Sequence, residues 1–406
     1  MQFTDIIGQS EVKQQLAELV QHNRLSHALL FLGKEGSGSL SLALAFAQYI
    51  VCEKVNGRQS TVNSQPSGPS LFGEPEPQPS NLKPQTDSCG VCPACLKAAQ
   101  LVHPDIHFSY PTVTKKAGEK PTAKDFITEW RDFIKLSPYG NLFDWIEEIK
   151  EKENSQGKIT AEECNDIIRK LSLKSFESEY KVLIMWMPEM LGTEGNKLLK
   201  LIEEPPPNTL FILVSENEAQ ILQTIVSRCQ LIKIPALTTS EIQEALISRN
   251  KTEPAIALQV ASVCEGDYRE ALQLVQHADE DWQALLREWL NAILKSGPVA
   301  QSKWVEEISR LGREKQKQFL RYFNHLLEQA IHYRLMGESY IIGEKERDFA
   351  VRLNKIAGIE QQQAIIEELD KASYYIERNA HGKMLFHALT IKLYHIIQDK
   401  IVFLEK

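Results

Sequence analysis

The sequence predicts an α/β domain with a mostly parallel sheet, then a small helical domain, then a separate all-helical one. Three observations lead there. The apolar runs Ala28–Leu32, Lys181–Met187 and Thr209–Ser215 are nearly continuous rather than alternating, as in strands buried on both faces. The first is followed by a glycine-rich turn and a helical run, Leu40–Ile50, the opening of a βαβ unit. From Pro235 onward glycine becomes scarce and helical periodicity takes over.

Each element has its own warrant. Between the second and third strands, Gly195–Glu204 carries Leu198, Leu199, Leu201 and Ile202 at helical spacing, and Pro205, Pro206 and Pro207 stop it. A short strand is expected at Gln230–Ile234. The α/β domain then spans 1–235 and the small helical domain 236–280. The latter opens at a Ser240 N-cap, with Thr238 and Thr239 as rivals. Residues 281–406 hold amphipathic runs such as WQALLREWLNAIL and MLFHALTIKLYHIIQ, read as a separate all-helical domain. Two segments interrupt the α/β pattern. Val55–Thr86 is rich in Pro, Ser, Gln and Gly, which predicts a disordered or extended loop. Thr112–Ser155 reads as a partly helical insertion on the surface.

Composition narrows the function classes. At 406 residues, with 43% hydrophobic and 25% charged residues, the chain has the composition of an ordinary soluble globular protein. A net charge of -8 excludes a globally basic nucleic-acid binder. MQFTDIIGQSEV has neither a cationic start nor an apolar core, so no secretory leader is expected, and no run is long enough to span a membrane. Seven cysteines, three of them closely grouped, argue for a metal site in a reducing cytoplasm rather than a disulfide framework.

That group is Cys89, Cys92 and Cys95, a C-x2-C-x2-C run in a Gly/Pro turn, with Cys52 as the expected fourth ligand and His103 as its possible substitute. Four ligands suit structural zinc. An iron–sulfur cluster is disfavoured because Leu96 and Lys97, not Pro, follow Cys95. Cys164, Cys229 and Cys264 are scattered and read as small core residues. The second motif is the turn GKEGSGSL. Gly33 and Gly38 hold the spacing of a phosphate loop, with Gly36 between them. Ser39 and Leu40 stand where the lysine and the metal-binding hydroxyl belong.

The stretches FTDIIGQSEVKQQL, RLSHALLFLG, the four cysteines, NKLLKLIEEPPPNTLFILVSE and IVSRCQ together resemble bacterial clamp-loader subunits of the AAA+ class. The resemblance covers most of residues 1–275. It implies a RecA-like parallel sheet with a zinc module at about 52–100, a helical lid, and an all-α C-terminal collar. In active members an apolar strand ends in acids that hold metal and polarise water. Here Trp186 and Met187 occupy those places, and Glu189 lies beyond the strand end. The family's delta-prime branch has this profile, so no intrinsic ATPase is expected. The resemblance also implies that Arg228, in the triplet Ser227-Arg228-Cys229, is an arginine finger reaching a neighbouring subunit's ATP. Arg269, in EGDYREAL, matches the lid's nucleotide sensor, or else is a solvated arginine at a helix start or forms an interdomain ion pair. Ile7 and Gly8 match an adenine-side contact.

The partners implied are gamma/tau and delta subunits in a hetero-pentamer, and through them a sliding clamp and primer-template DNA, with no membrane. The alternatives are an active gamma/tau-like ATPase and a zinc-stabilised adaptor unrelated to replication.

Overall fold

A computed structural model describes residues 1–55, 86–114, 120–150, 156–276, 282–337, 344–378 and 380–400. The expectation of a disordered loop at Val55–Thr86 falls almost wholly on residues outside this set. The chain divides into two compact units, Met1–Leu272 and Gln273–Lys406.

The first unit is built on a five-stranded parallel sheet in the order β2-β3-β4-β1-β5. Its strands are β1 (Ala28–Gly33), β2 (Ile106–Ser109), β3 (Lys181–Trp186), β4 (Thr209–Ser215) and β5 (Gln230–Ile234). Strand side chains alternate between faces. Leu29, Phe31, Val182, Ile184, Leu210 and Ile212 enter one core, under the helix Ser39–Val51. Ala28, Leu30, Leu183, Met185, Phe211 and Leu213 enter the other. With both faces covered, the apolar runs have to be continuous. β2 was not anticipated, because IHFS is four residues long and interrupted by a histidine.

Three expectations are corrected. The helix expected at Gly195–Glu204 is a 3-10 segment, Pro188–Leu198, broken at Gly192 and followed by the short α-helix Leu199–Glu203. The cap of the helix Thr239–Asn250 is Thr238, not Ser240. Glu241 lies three residues after Thr238 and completes a capping box: the Thr238 hydroxyl accepts from Glu241 N at 3.3 Å, and the Glu241 carboxylate from Thr238 N at 2.8 Å. The third correction concerns the insertion. Its helices Ile127–Leu136 and Leu142–Ile149 do form, but they are not a surface addition. Phe126, Trp130, Phe133, Ile134, Trp145 and Ile149 are buried in the main core. Trp130 stacks on Tyr110 at 4.1 Å, and the Trp145 indole N–H donates to Pro111 O at 2.7 Å. Burying this many aromatic rings makes the segment part of the fold.

The second unit is helical among its described residues, from Trp282–Asn291 to Gly382–Gln398. At its centre Trp289 stacks on Trp304 at 4.5 Å and donates to Thr390 Oγ1 at 3.0 Å, surrounded by Phe319, Phe323 and Phe386. Among the described residues, no helix is long and apolar enough to cross a membrane.

Candidate functional site

The glycine turn sits where the sequence placed it, between β1 and the N-terminus of the helix Ser39–Val51. Gly36 and Gly38 adopt φ of 66° and 84°, the left-handed region that glycine enters at little cost. The strand–turn–helix placement agrees with the phosphate-loop spacing read in the sequence. The turn's polar groups, however, are turned inward. The Ser37 hydroxyl donates to Lys34 O at 2.6 Å and lies 2.8 Å from the Ser39 hydroxyl.

Side chains of the insertion and of the segment before the helix Tyr268–Gln276 pack against the turn. A Cβ on Gly38 would lie 2.7 Å from Tyr139 Cε1, and one on Gly36 would strike Asp267. The Tyr139 hydroxyl accepts from Ile7 N at 2.9 Å, so the residue matched to an adenine contact faces Tyr139 instead. Gly8 packs closely against Glu241. Ser41 Oγ donates to Pro138 O at 2.5 Å. The cavity left over the loop is about 30 Å³. That is room for a water or two, against the several hundred Å³ of a typical ligand site.

The end of β3 carries large apolar side chains. Trp186 packs 5.4 Å from Trp130 and 5.8 Å from Phe133. Met187 is buried, with its N–H on Val214 O at 2.9 Å. Glu189 Oε1 accepts from Ser215 Oγ (2.6 Å), Glu216 N (2.8 Å) and Asn217 N (3.0 Å), so that oxygen caps the turn after β4.

Arg269 is buried at the start of the helix Tyr268–Gln276. It forks onto the carboxylate of Asp144 in the insertion: Nη2 donates to Oδ1 at 2.6 Å, and Nε donates to Oδ2. Asn141 links this pair to the loop, accepting from Asp144 N at 3.0 Å and donating from Nδ2 to Glu35 Oε2 at 3.3 Å. Arg269 and Asp144 thus form an ion pair within the first unit. Sequence reasoning missed Tyr139 and Asp144 altogether.

Acids crowd the same place. Burial pushes Glu216 up to about 8, and the charges of Glu35, Glu189 and Asp267 add to the shift. Burial also raises Asp267 to about 6, with Glu270 and Glu35 contributing. These shifts make stability depend on pH. A carboxyl whose folded pKa exceeds its unfolded value takes up protons on folding. Its contribution is complete below the unfolded value and is lost as pH rises through the folded one. For Glu216 that loss runs from about 4.5 to about 8. Glu216→Gln is therefore expected to raise the melting temperature, relative to the unmodified chain, more at pH 8.5 than at pH 6.5. An equal offset at both pH values would show that Glu216 does not titrate in this range.

Arg228 follows the short helix Gln223–Val226, just before β5. It is half-exposed. Nε and Nη2 donate to Glu203 Oε2 at 3.3 and 3.1 Å, and Nη1 to Thr224 O at 2.8 Å. Ser227 beside it is exposed and Cys229 half-buried. The guanidinium is thus presented at the surface by a single exposed acid and a carbonyl. Glu203 is a partner that the sequence did not reveal.

Cys52, Cys89, Cys92 and Cys95 come together, with all four sulfurs within 4.8 Å of one another. Tetrahedral thiolates at about 2.3 Å from zinc would be separated by about 3.8 Å, so the donor set fits a closed four-sulfur site. Cys52 ends the phosphate-loop helix, and the N–H groups of Cys89, Cys92 and Cys95 donate to Cys52, Cys89 and Cys92 sulfurs at 3.3, 3.3 and 3.5 Å. The thiol of Cys95 and the Cys89 and Val55 N–H groups hold Cys52 down at about 4, while Cys95 is raised by the bond it gives. His103 is not part of the group. Its Nδ1 accepts from Asp105 N at 3.1 Å and its Nε2 lies 3.2 Å from Glu177. Burial raises Cys164, Cys229 and Cys264 to about 11, 11 and 12, as expected for thiols without chemistry.

The profile of a family described as DNA polymerase III, delta subunit, matches residues 8–67 and 79–238. The DNA polymerase III subunit tau of Bacillus subtilis is 26% identical over 337 residues, covering 80% of this chain and 46% of that protein. The subunit delta' of the same organism is 25% identical over 266 residues, covering 66% of this chain and 59% of its own length. The chain thus spans about half the length of these two relatives. A gamma subunit-related protein of Thermotoga maritima aligns over 93% of this chain and 98% of its own, at 15% identity and a TM-score of 0.36.

Proposed function

Because the chain belongs to the family described as DNA polymerase III, delta subunit, we propose that it is a clamp-loader subunit of the delta-prime kind that hydrolyses no ATP. In this reading it joins gamma/tau and delta subunits in a hetero-pentamer that loads a sliding clamp on primed DNA. Residues 236–280 serve as the lid and 281–406 as the collar. The four cysteines hold a structural zinc. With a net charge of -8, DNA contact falls mainly to the other subunits.

One contrast carries the reading. The chain's own phosphate loop is covered by Tyr139, whereas Arg228 is held at the surface by little more than Glu203. An exposed ion pair of this kind is worth about 0–1 kcal/mol, so a neighbour's γ-phosphate can replace Glu203 at small cost. There the planar, permanently charged guanidinium takes up charge that develops on the phosphoryl oxygens. All other parts of that ATP site belong to the neighbour.

Two measurements test this function. The purified chain titrated with labelled ATP and Mg²⁺ is expected to show neither saturable binding nor turnover. Mixed with gamma/tau-type and delta-type subunits, it is expected to co-elute as one complex. Tight binding with turnover by the chain alone would establish the gamma/tau-like alternative, and a chain that never joins the other subunits would leave the zinc-stabilised adaptor.

A further inference from the structure

The segment Pro138–Asp144 lies between the phosphate loop and the lid, and its side chains match that gap point by point. Tyr139 touches three surroundings. Its hydroxyl accepts from Ile7 N at 2.9 Å, its ring covers Gly38, and its edge meets Tyr268 of the lid at 5.0 Å between centroids. Asp144 accepts the Arg269 fork, and Asn141 ties Asp144 back to Glu35 of the loop. Loop, insertion and lid are thereby joined by a continuous chain of polar contacts.

We propose that Pro138–Asp144 is a built-in substitute for a nucleotide. Tyr139 fills the seat over Gly38, and Asp144 supplies Arg269 with the anionic partner that a phosphate would otherwise supply, so the lid stays fixed on the sheet in every nucleotide state.

The chemistry favours this reading over an incidental ion pair. A guanidinium offers a planar fork that carboxylate and phosphate satisfy equally well. Arg269 is only 8% exposed, and a buried cation left without a partner is strongly destabilising. A lid arginine above a phosphate loop that binds no phosphate still needs an acid to match its planar fork; Glu216 and Asp267 lie near enough to feel its charge, and Asp144 is the acid that takes the fork. The remaining cavity of about 30 Å³ leaves little place for a phosphate to compete. The inference rests on reading Gly33–Leu40 as a former phosphate loop and not on Arg228 acting in a neighbour, so the two fail separately.

Hydrogen–deuterium exchange on the full chain tests it. In the unmodified protein, exchange in the lid helices Thr239–Asn250 and Tyr268–Gln276 is expected to be unchanged by 1 mM ATP and Mg²⁺. Asp144→Asn, which is isosteric but uncharged, is expected to speed exchange there about tenfold or more, while Trp282–Asn291 and Gly297–Arg310 keep their rates. Should Asp144→Asn fail to fold, Arg269→Lys keeps the charge but loses the fork, and is expected to loosen the same two helices selectively. Protection of the unmodified lid by ATP would overturn the proposal, as would a folded variant of either kind with unaltered lid exchange.

Discussion

Replacing Arg228 with alanine is expected to lower the DNA-stimulated ATPase of the reconstituted clamp loader while leaving its assembly and the fold of this chain intact. The structural part of that statement follows from the contacts of Arg228. The side chain gives up an exposed pair with Glu203 and one bond to Thr224 O, together about 0–1 kcal/mol, and it fills no core. The catalytic part follows from the proposed role. Arginine fingers contribute on the order of 10³–10⁵ in rate at the phosphate they touch. The ATP site served by this chain would fall silent, and the total would drop by that site's share. Arg228→Lys is expected to recover little, because an ammonium lacks the planar fork. Glu203→Gln separates presentation from chemistry. It frees the guanidinium without removing it, so most of the ATPase should survive. Unchanged ATPase of the complex carrying Arg228→Ala would remove the finger assignment while leaving subunit membership standing.

Cys92→Ser should release about one zinc per chain and destabilise the first unit by several kcal/mol, since the binding energy of a structural zinc is folding energy. The position is informative because Cys92 has two duties. Its sulfur belongs to the four-sulfur group and also caps the helix Pro93–Ala99 by accepting from Cys95 N. Serine is a good N-cap, so the substitution preserves the cap and removes the thiolate. The loss in melting temperature therefore reads the metal term. Metal analysis of the native protein finding no zinc would sink this claim. Zinc with unaltered content in the variant would show that Cys92 is not a ligand.

Much of this was legible in the sequence. Strands buried on both faces must be apolar throughout, so β1, β3 and β4 were visible as runs, and the glycine turn between β1 and its helix was visible as spacing. The cysteines were legible for a similar reason: tight C-x2-C turns bring sulfurs together almost independently of what surrounds them. The missing groups of the phosphate loop could be read position by position at Ser39, Leu40, Trp186 and Met187. The strand β2 escaped because four residues give no period to detect. The insertion was misplaced although its signal was present, in aromatic residues at helical spacing. An amphipathic face announces that something covers it, not what does.

The sequence by itself determined the parallel sheet, the residues of the glycine turn, the cysteine group and the position of Arg228. All of these are written in local patterns of a few residues. Tertiary structure alone decided what fills the loop and what holds the two arginines. Asp144 and Arg269 are 125 residues apart in the chain, and Arg228 and Glu203 are 25 apart. Pairings at such separations are chosen by the packing of whole helices against the sheet. No local pattern encodes them, because the energy of an ion pair depends on where the backbone delivers the two charges.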